Sequence, residues 1–108
     1  MKKIVSILLV SVFFMGCSED RVLIDELTNK GTEGAPIMYS EKGLFNGIGF
    51  DVYENGQLRY EYNYKDGRKD GLQKGWHANG QLKQEINLKD GWKDGLKGWD
   101  ENGNEIEL

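Results

Sequence analysis

Few side chains in this 108-residue chain are equipped for chemistry. His77 is its only histidine and Cys17 its only cysteine. Acid–base or nucleophilic catalysis needs a reactive group held in place by others, and neither residue has a plausible set of partners. A zinc site needs several His, Cys or carboxylate ligands together, which one histidine and one cysteine do not supply. Two carboxylate pairs recur, Asp66 with Asp70 and Asp90 with Asp94. Calcium would suit them, but the alternating acids and closing Glu of a calcium loop are missing. Asp before Gly is instead the ordinary turn residue, because its carboxylate bonds its own backbone. Paired carboxylates for glycoside cleavage would need a sugar cleft, and nothing marks one. The glycines form neither GxGxxG nor a phosphate loop opening a helix. No catalytic residue, metal site or cofactor is expected, so the chain reads as non-enzymatic.

The aromatic residues offer binding rather than reaction. Tyr60, Tyr62 and Tyr64 form a row of alternate residues, and Trp76 and Trp99 occupy equivalent places in a repeat. Trp92 is read as a turn residue, where Arg68 stands one unit earlier. A tryptophan there either folds over a neighbouring strand or stays out for a partner. Trp92, Tyr60, Tyr62 and Trp76 are the candidate partner contacts. Packing along the sheet is the simpler role for Trp76 and the tyrosines, and a solvated strand side chain is the simpler role for His77.

These residues sit in a repeat. Asn55-Gly56-Gln57-Leu58 returns 24 residues later as Asn79-Gly80-Gln81-Leu82. Lys65-Asp66-Gly67 returns as Lys89-Asp90-Gly91, and Lys69-Asp70-Gly71-Leu72 as Lys93-Asp94-Gly95-Leu96. Asn102-Gly103 begins a third copy at an offset of 23, after one deletion between Leu96 and Trp99. Self-similarity at a fixed period marks a repeat architecture. Asn-Gly between alternating runs is a strong hairpin signal for a type I′ turn. The Asp-Gly pairs make the opposite turns, and Gly71 and Gly95 mark bulges or close approaches. Leu58, Tyr60, Tyr62 and Tyr64 alternate with Arg59, Glu61 and Asn63; Ile48, Phe50 and Val52 alternate likewise. Period-two alternation argues half-buried strands. The expected fold is all-β: an elongated antiparallel meander of repeated hairpins in one sheet, with one apolar and one polar face. The repeats are expected over 48–108. Strands at Val22–Leu27 and Ile37–Tyr39 should form a capping hairpin within 22–47.

The beginning of the chain reads as targeting. Lys2 and Lys3 precede a 12-residue apolar run, Ile4 to Met15, and then Gly16 and Cys17. A spanning helix needs roughly 20 residues, so a helical signal peptide over 1–16 is favoured. Phe14-Met15-Gly16-Cys17 resembles a lipobox, although Phe14 and Met15 are looser than its usual residues. That resemblance implies lipidation of Cys17 and a bacterial envelope protein anchored by lipid, with 17–21 as a polar tether. Ser18 in place of an inner-membrane retention aspartate implies the outer membrane, facing the periplasm or the surface. Loss of Lys2 and Lys3 leaves twelve basic against eighteen acidic residues, a net charge of −6. Such a chain repels nucleic acid and anionic headgroups, leaving the lipid as the membrane link.

The units Tyr53-Glu54-Asn55-Gly56-Gln57-Leu58, Asn63-Tyr64-Lys65-Asp66-Gly67 and Lys69-Asp70-Gly71-Leu72 resemble the MORN repeat variant of bacterial proteins. Residues 53 to 72 carry the likeness closely and 77 to 96 nearly as well; the third unit is truncated and lacks the Gln-Leu pair. The resemblance implies a scaffold or protein-binding module. Its YwqK-type members further imply an antitoxin or immunity-like protein that neutralises a cognate toxin.

Overall fold

The computed structural model describes residues 20–108. The signal peptide over 1–16 and the lipidation site Cys17 lie outside the described residues. The described residues form ten strands: β1 (Asp20–Leu23), β2 (Thr28–Asn29), β3 (Met38–Ser40), β4 (Gly43–Leu44), β5 (Gly47–Val52), β6 (Leu58–Lys65), β7 (Arg68–Trp76), β8 (Leu82–Lys89), β9 (Trp92–Trp99) and β10 (Glu105–Ile106). Seven of them build one sheet in the order β1-β5-β6-β7-β8-β9-β10, and β2-β3-β4 make a second, small sheet. From β5 to β10 every pairing is antiparallel between consecutive strands, so the expected meander of hairpins is the fold.

Two kinds of reversal drive it. At Asp66-Gly67 and Asp90-Gly91 both residues have positive φ, 51° and 81° in the first and 52° and 83° in the second. This is the type I′ pattern whose twist matches the flanking strands. The Asn-Gly reversals differ from expectation. Gly56 and Gly80 have positive φ but Asn55 and Asn79 do not. Tyr53 N donates to Gln57 O and Gly56 N to Tyr53 O, which makes a three-residue loop: a type I turn followed by a left-handed glycine. The same bonds recur from His77 to Gln81 and from Asp100 to Asn104.

Those loops leave a mark on the strands. The register shifts between Asp51 and Val52 and again between Gly75 and Trp76. A shift of one residue sends side chains to the opposite face. Gly49 therefore pairs with Tyr62, and Phe50 with Glu61. Ile48 and Phe50 lie on the face away from Tyr60, Tyr62 and Tyr64, so the expectation of one wholly apolar face is corrected. The tyrosine face also carries Gln73, Ile86, Leu88 and Leu96; the other carries Leu72, Trp76, Lys97 and Trp99.

The N-terminal segment also departs from expectation. Val22–Leu27 is not one strand and does not pair with Ile37–Tyr39. β1 instead runs parallel to β5, from Asp20 opposite Gly47 to Leu23 opposite Phe50. A 3-10 turn, Ile24–Glu26, then ends it. Asp20 and Arg21 thus belong to the sheet rather than to a free tether. The hydrophobic reason is a better burial site. Leu27, Phe45 and Tyr64 form the core, with Val22, Met38 and Tyr62 packed around them. Phe45 is 1% exposed and lies 5.6 Å from the Tyr64 ring. A Cβ on Gly49 would stand 2.9 Å from that tyrosine ring, so only glycine leaves it room. The small sheet is clamped to the first Asp-Gly hairpin by Met38 N to Gly67 O (2.7 Å) and Gly67 N to Phe45 O (2.9 Å).

Candidate binding surface

A ladder of side chains welds each Asn-Gly loop to the next. Tyr53 Oη donates to Trp76 O at 2.6 Å, and His77 Nε2 lies 2.9 Å from Trp99 O. A carbonyl only accepts, so Nε2 of His77 carries the proton. Asn55 Nδ2 donates to Ala78 O and Asn79 Nδ2 to Glu101 O, at 3.1 and 2.9 Å. Meanwhile Asn55 Oδ1 and Asn79 Oδ1 accept the amides of Gln57 and Gln81. The turn residues Asn55, Gly56, Asn79 and Gly80 therefore act between units as well as within them. His77 is a half-buried structural donor, not the solvated strand residue expected. The third loop turns inward: Asp100 Oδ1 accepts the amides of Asn102 and Asn104, both at 2.9 Å. Those amides, the Asn104 one foremost, hold the Asp100 carboxyl below its usual pKa. Asn102-Gly103 thus ends the ladder on its own backbone.

At the other end of the strands the two bulges differ. Tyr64 pairs with Lys69 but Tyr62 with Gln73, so two extra residues are accommodated on β7. Gln73, buried, fills the bulge and its Nε2 donates to the carbonyls of Asn63, Asp70 and Gly71 at 3.2, 3.3 and 3.2 Å. On β9, Asn87 pairs with Gly95 and Leu88 with Lys93, leaving only Asp94 extra. The deletion in the third copy is absorbed here. Leu96, opposite Ile86, consequently stands where Gln73 stands opposite Tyr62, although the sequence aligns it with Leu72. Gly71 does mark its bulge, with φ 82°.

The candidate contacts fall into two groups. Tyr60 and Tyr62 stack on one face, 5.4 Å apart at 22°. Lys69 Nζ sits 3.8 Å over the Tyr62 ring, so this tyrosine is roofed rather than open. Burial lowers the Lys69 pKa and raises those of Tyr62 and Tyr64, the last to about 12. Trp76 and Trp92 are on the opposite face, at opposite ends of their strands. Trp92 is the first residue of β9, paired with Lys89, not a turn residue as expected. It is 79% exposed, the most exposed of the large apolar residues described. Leu96 and Lys97 are exposed along the same strand; these the sequence reading missed. Among the described residues no group of three or more His, Cys, Asp or Glu could hold a metal ion. No described helix is long and apolar enough to cross a membrane.

Repeated hairpins, inter-unit turn ladders and an open sheet surface define a repeat-built β scaffold. Residues 45–66 and 69–90 match the family model described as MORN repeat variant. The first match takes in β5, β6 and their loop, the second β7, β8 and theirs, a frame eight residues ahead of 53 and 77, where the sequence likeness was read. No curated protein and no solved structure matches the chain.

Proposed function

We propose that the protein is a lipid-anchored, non-enzymatic binding module of the bacterial envelope, presenting its repeat sheet to a protein partner. The observation that carries this reading is Trp92: a large aromatic 79% exposed at the start of a sheet strand. Tryptophans in such positions are favoured contact residues, since they bring wide apolar area at small entropic cost. The match to a repeat family of binding scaffolds supports the same conclusion. The anchor would be Cys17, three residues before β1 begins. More than one acyl chain gives stable attachment, at roughly 0.8 kcal/mol for each buried CH₂. The test is capture from native membranes by crosslinking and mass spectrometry. Trp92→Ala should cut partner recovery severalfold while Asn102→Ala leaves it unchanged; equal recovery for Trp92→Ala defeats the contact. Palmitate labelling tests the anchor, and equal label in the Cys17→Ala variant defeats that.

A further inference from the structure

We propose that the partner at the Trp92 edge is a second copy of this chain, added strand against strand to β9 about a two-fold axis perpendicular to the sheet. The inference rests on the reading of Trp92 as a contact and names what it contacts.

β10 pairs with β9 only at Trp99 and Gly98. Among the described residues, no strand covers the outer edge of β9 from Trp92 to Lys97. The same edge of β7, which carries the matching Lys-Asp-Gly-Leu and Gly-Trp residues, is covered by β8 over Gly71 to Trp76. Beyond Ile106 the chain leaves the edge, and Leu108 folds over Gly98, where an added Cβ would lie 2.8 Å from it. β9 is thus a strand of the repeat whose outer edge has no described neighbour before Gly98, and the amides and carbonyls of that edge are a template for another strand.

The residues of that edge select one self-pairing. Opposed residues in an antiparallel pair share a face. Because Asp94 is bulged, Trp92, Gly95 and Lys97 lie on one face and Lys93 and Leu96 on the other. A two-fold axis at Gly95, with Asp94 left out of the ladder, sets Trp92 opposite Lys97 of the second copy and Lys93 opposite Leu96 of the second copy. Faces agree at every pair. Two tryptophan–ammonium contacts form, and two lysine stems cover leucine. Gly95 meets its own copy at the axis, with no side chain to hold the strands apart. The register without the bulge would oppose Lys93 to Lys97 on mismatched faces and bring Trp92 to Gly98, which β10 already occupies. Lysines usually protect an edge from pairing; here the bulge moves them away from each other.

The test uses the full chain. A side chain at Gly95 meets no atom within 4 Å. Facing Cα atoms in an antiparallel pair lie about 4.5–5.5 Å apart, inside the roughly 4.4–6.8 Å span of a disulfide. Under mild oxidation in intact cells, Gly95→Cys should give a covalent dimer and Asn102→Cys should not; Cys17 is common to both and cancels. A second series reads the register by sedimentation. Leu96→Glu places an acid opposite Lys93 at two symmetric positions and should tighten the dimer roughly tenfold. Leu96→Lys should loosen it by at least as much. Apolar association without this register would weaken alike in both variants, and that result overturns the proposal, as does equal crosslinking of the two cysteine variants. A chain that stays monomeric while Trp92→Ala loses a different protein sinks the two-fold pairing and leaves the binding-module reading standing.

Discussion

The bulge on β7 is the most sensitive internal test of the repeat. Gln73 is 4% exposed and its amide nitrogen serves three carbonyls, while its Oε1 has no partner. Gln73→Leu removes the donor but keeps the volume. Leaving a buried carbonyl unsatisfied costs about 1–3 kcal/mol, and the added apolar side chain regains part of that. A net loss of about 1–2 kcal/mol is expected, or roughly 5–15 °C in Tm for a domain of this size. Deleting Gln73 altogether changes more atoms but less physics. The segment becomes Lys-Asp-Gly-Leu-Lys-Gly-Trp, the sequence at Lys93–Trp99, whose bulge needs one extra residue and no glutamine. Leu72 then takes the place opposite Tyr62 that Leu96 takes opposite Ile86. The deletion should therefore cost less than the substitution. Urea unfolding followed by tryptophan fluorescence measures both. A deletion more damaging than Gln73→Leu would refute the account of bulges as interchangeable two-residue and one-residue solutions.

Other perturbations separate the remaining contacts. Phe45→Ala should cost about 3–5 kcal/mol, since it empties the site of the largest fully buried side chain described; calorimetry checks it. Gly49→Ala drives a methyl into the Tyr64 ring and should lose about 1–3 kcal/mol, recovered in part by Tyr64→Leu in the same chain. His77→Ala should cost about 1 kcal/mol and His77→Gln less, because the amide can still reach the Trp99 carbonyl. Tyr64 keeps its proton in the folded chain up to about pH 12, against about 10 when unfolded. The folded state then binds more protons in that interval, so stability falls as pH rises from 10 to 12. Tyr64→Phe should flatten that decline in a pH series of unfolding midpoints, and an unchanged slope would exclude Tyr64 as its source.

The meander was legible because its cause is local. Glycine after Asn or Asp fixes the reversals, and alternation fixes the strands between them, so β5 to β8 could be placed from residue types. What escaped depends on counting across space. Asn-Gly suits both a two-residue and a three-residue loop; the three-residue loop alone would set Ile48 and Phe50 on the tyrosine face, and the extra residue Arg59 in β6 returns them to the other. The parallel strand β1 has no signature in Asp20–Leu23, since a parallel pairing is set by where the intervening chain returns. Here that return is dictated by Phe45 and Tyr64. At the candidate surface Trp92 was visible as an aromatic that either packs over a neighbouring strand or meets a partner, but Leu96 was read as the twin of Leu72. The deletion after Leu96 was legible, but identity in Lys-Asp-Gly-Leu hid its consequence, which is to move the leucine to the other face.

That single deletion links the architecture to its use. In β7 the wide bulge turns a glutamine inward to satisfy the backbone it exposes, and β8 covers the strand. In β9 the narrow bulge needs no such side chain, and an apolar residue and two lysines line an edge that no described strand covers. The bulge also fixes the face parity that lets Trp92 meet Lys97 of a second copy. Pairing of that kind reverses strand direction across the axis and sets the two Asp20 ends on opposite ends of the combined sheet. Were Cys17 lipidated, two lipids leaving from such positions would reach one bilayer only with the sheet lying along it, because a chain extends at most about 3.6 Å per residue. A paired, anchored sheet would then turn one face to the membrane and the other to the surroundings. An upright anchored chain requires the β9 edge to remain single. Surface labelling of Lys83 and Lys65 in intact membranes separates the two arrangements. They lie at opposite ends of their strands, so an upright monomer buries one end and exposes the other, whereas the flat pair leaves both ends equally reactive.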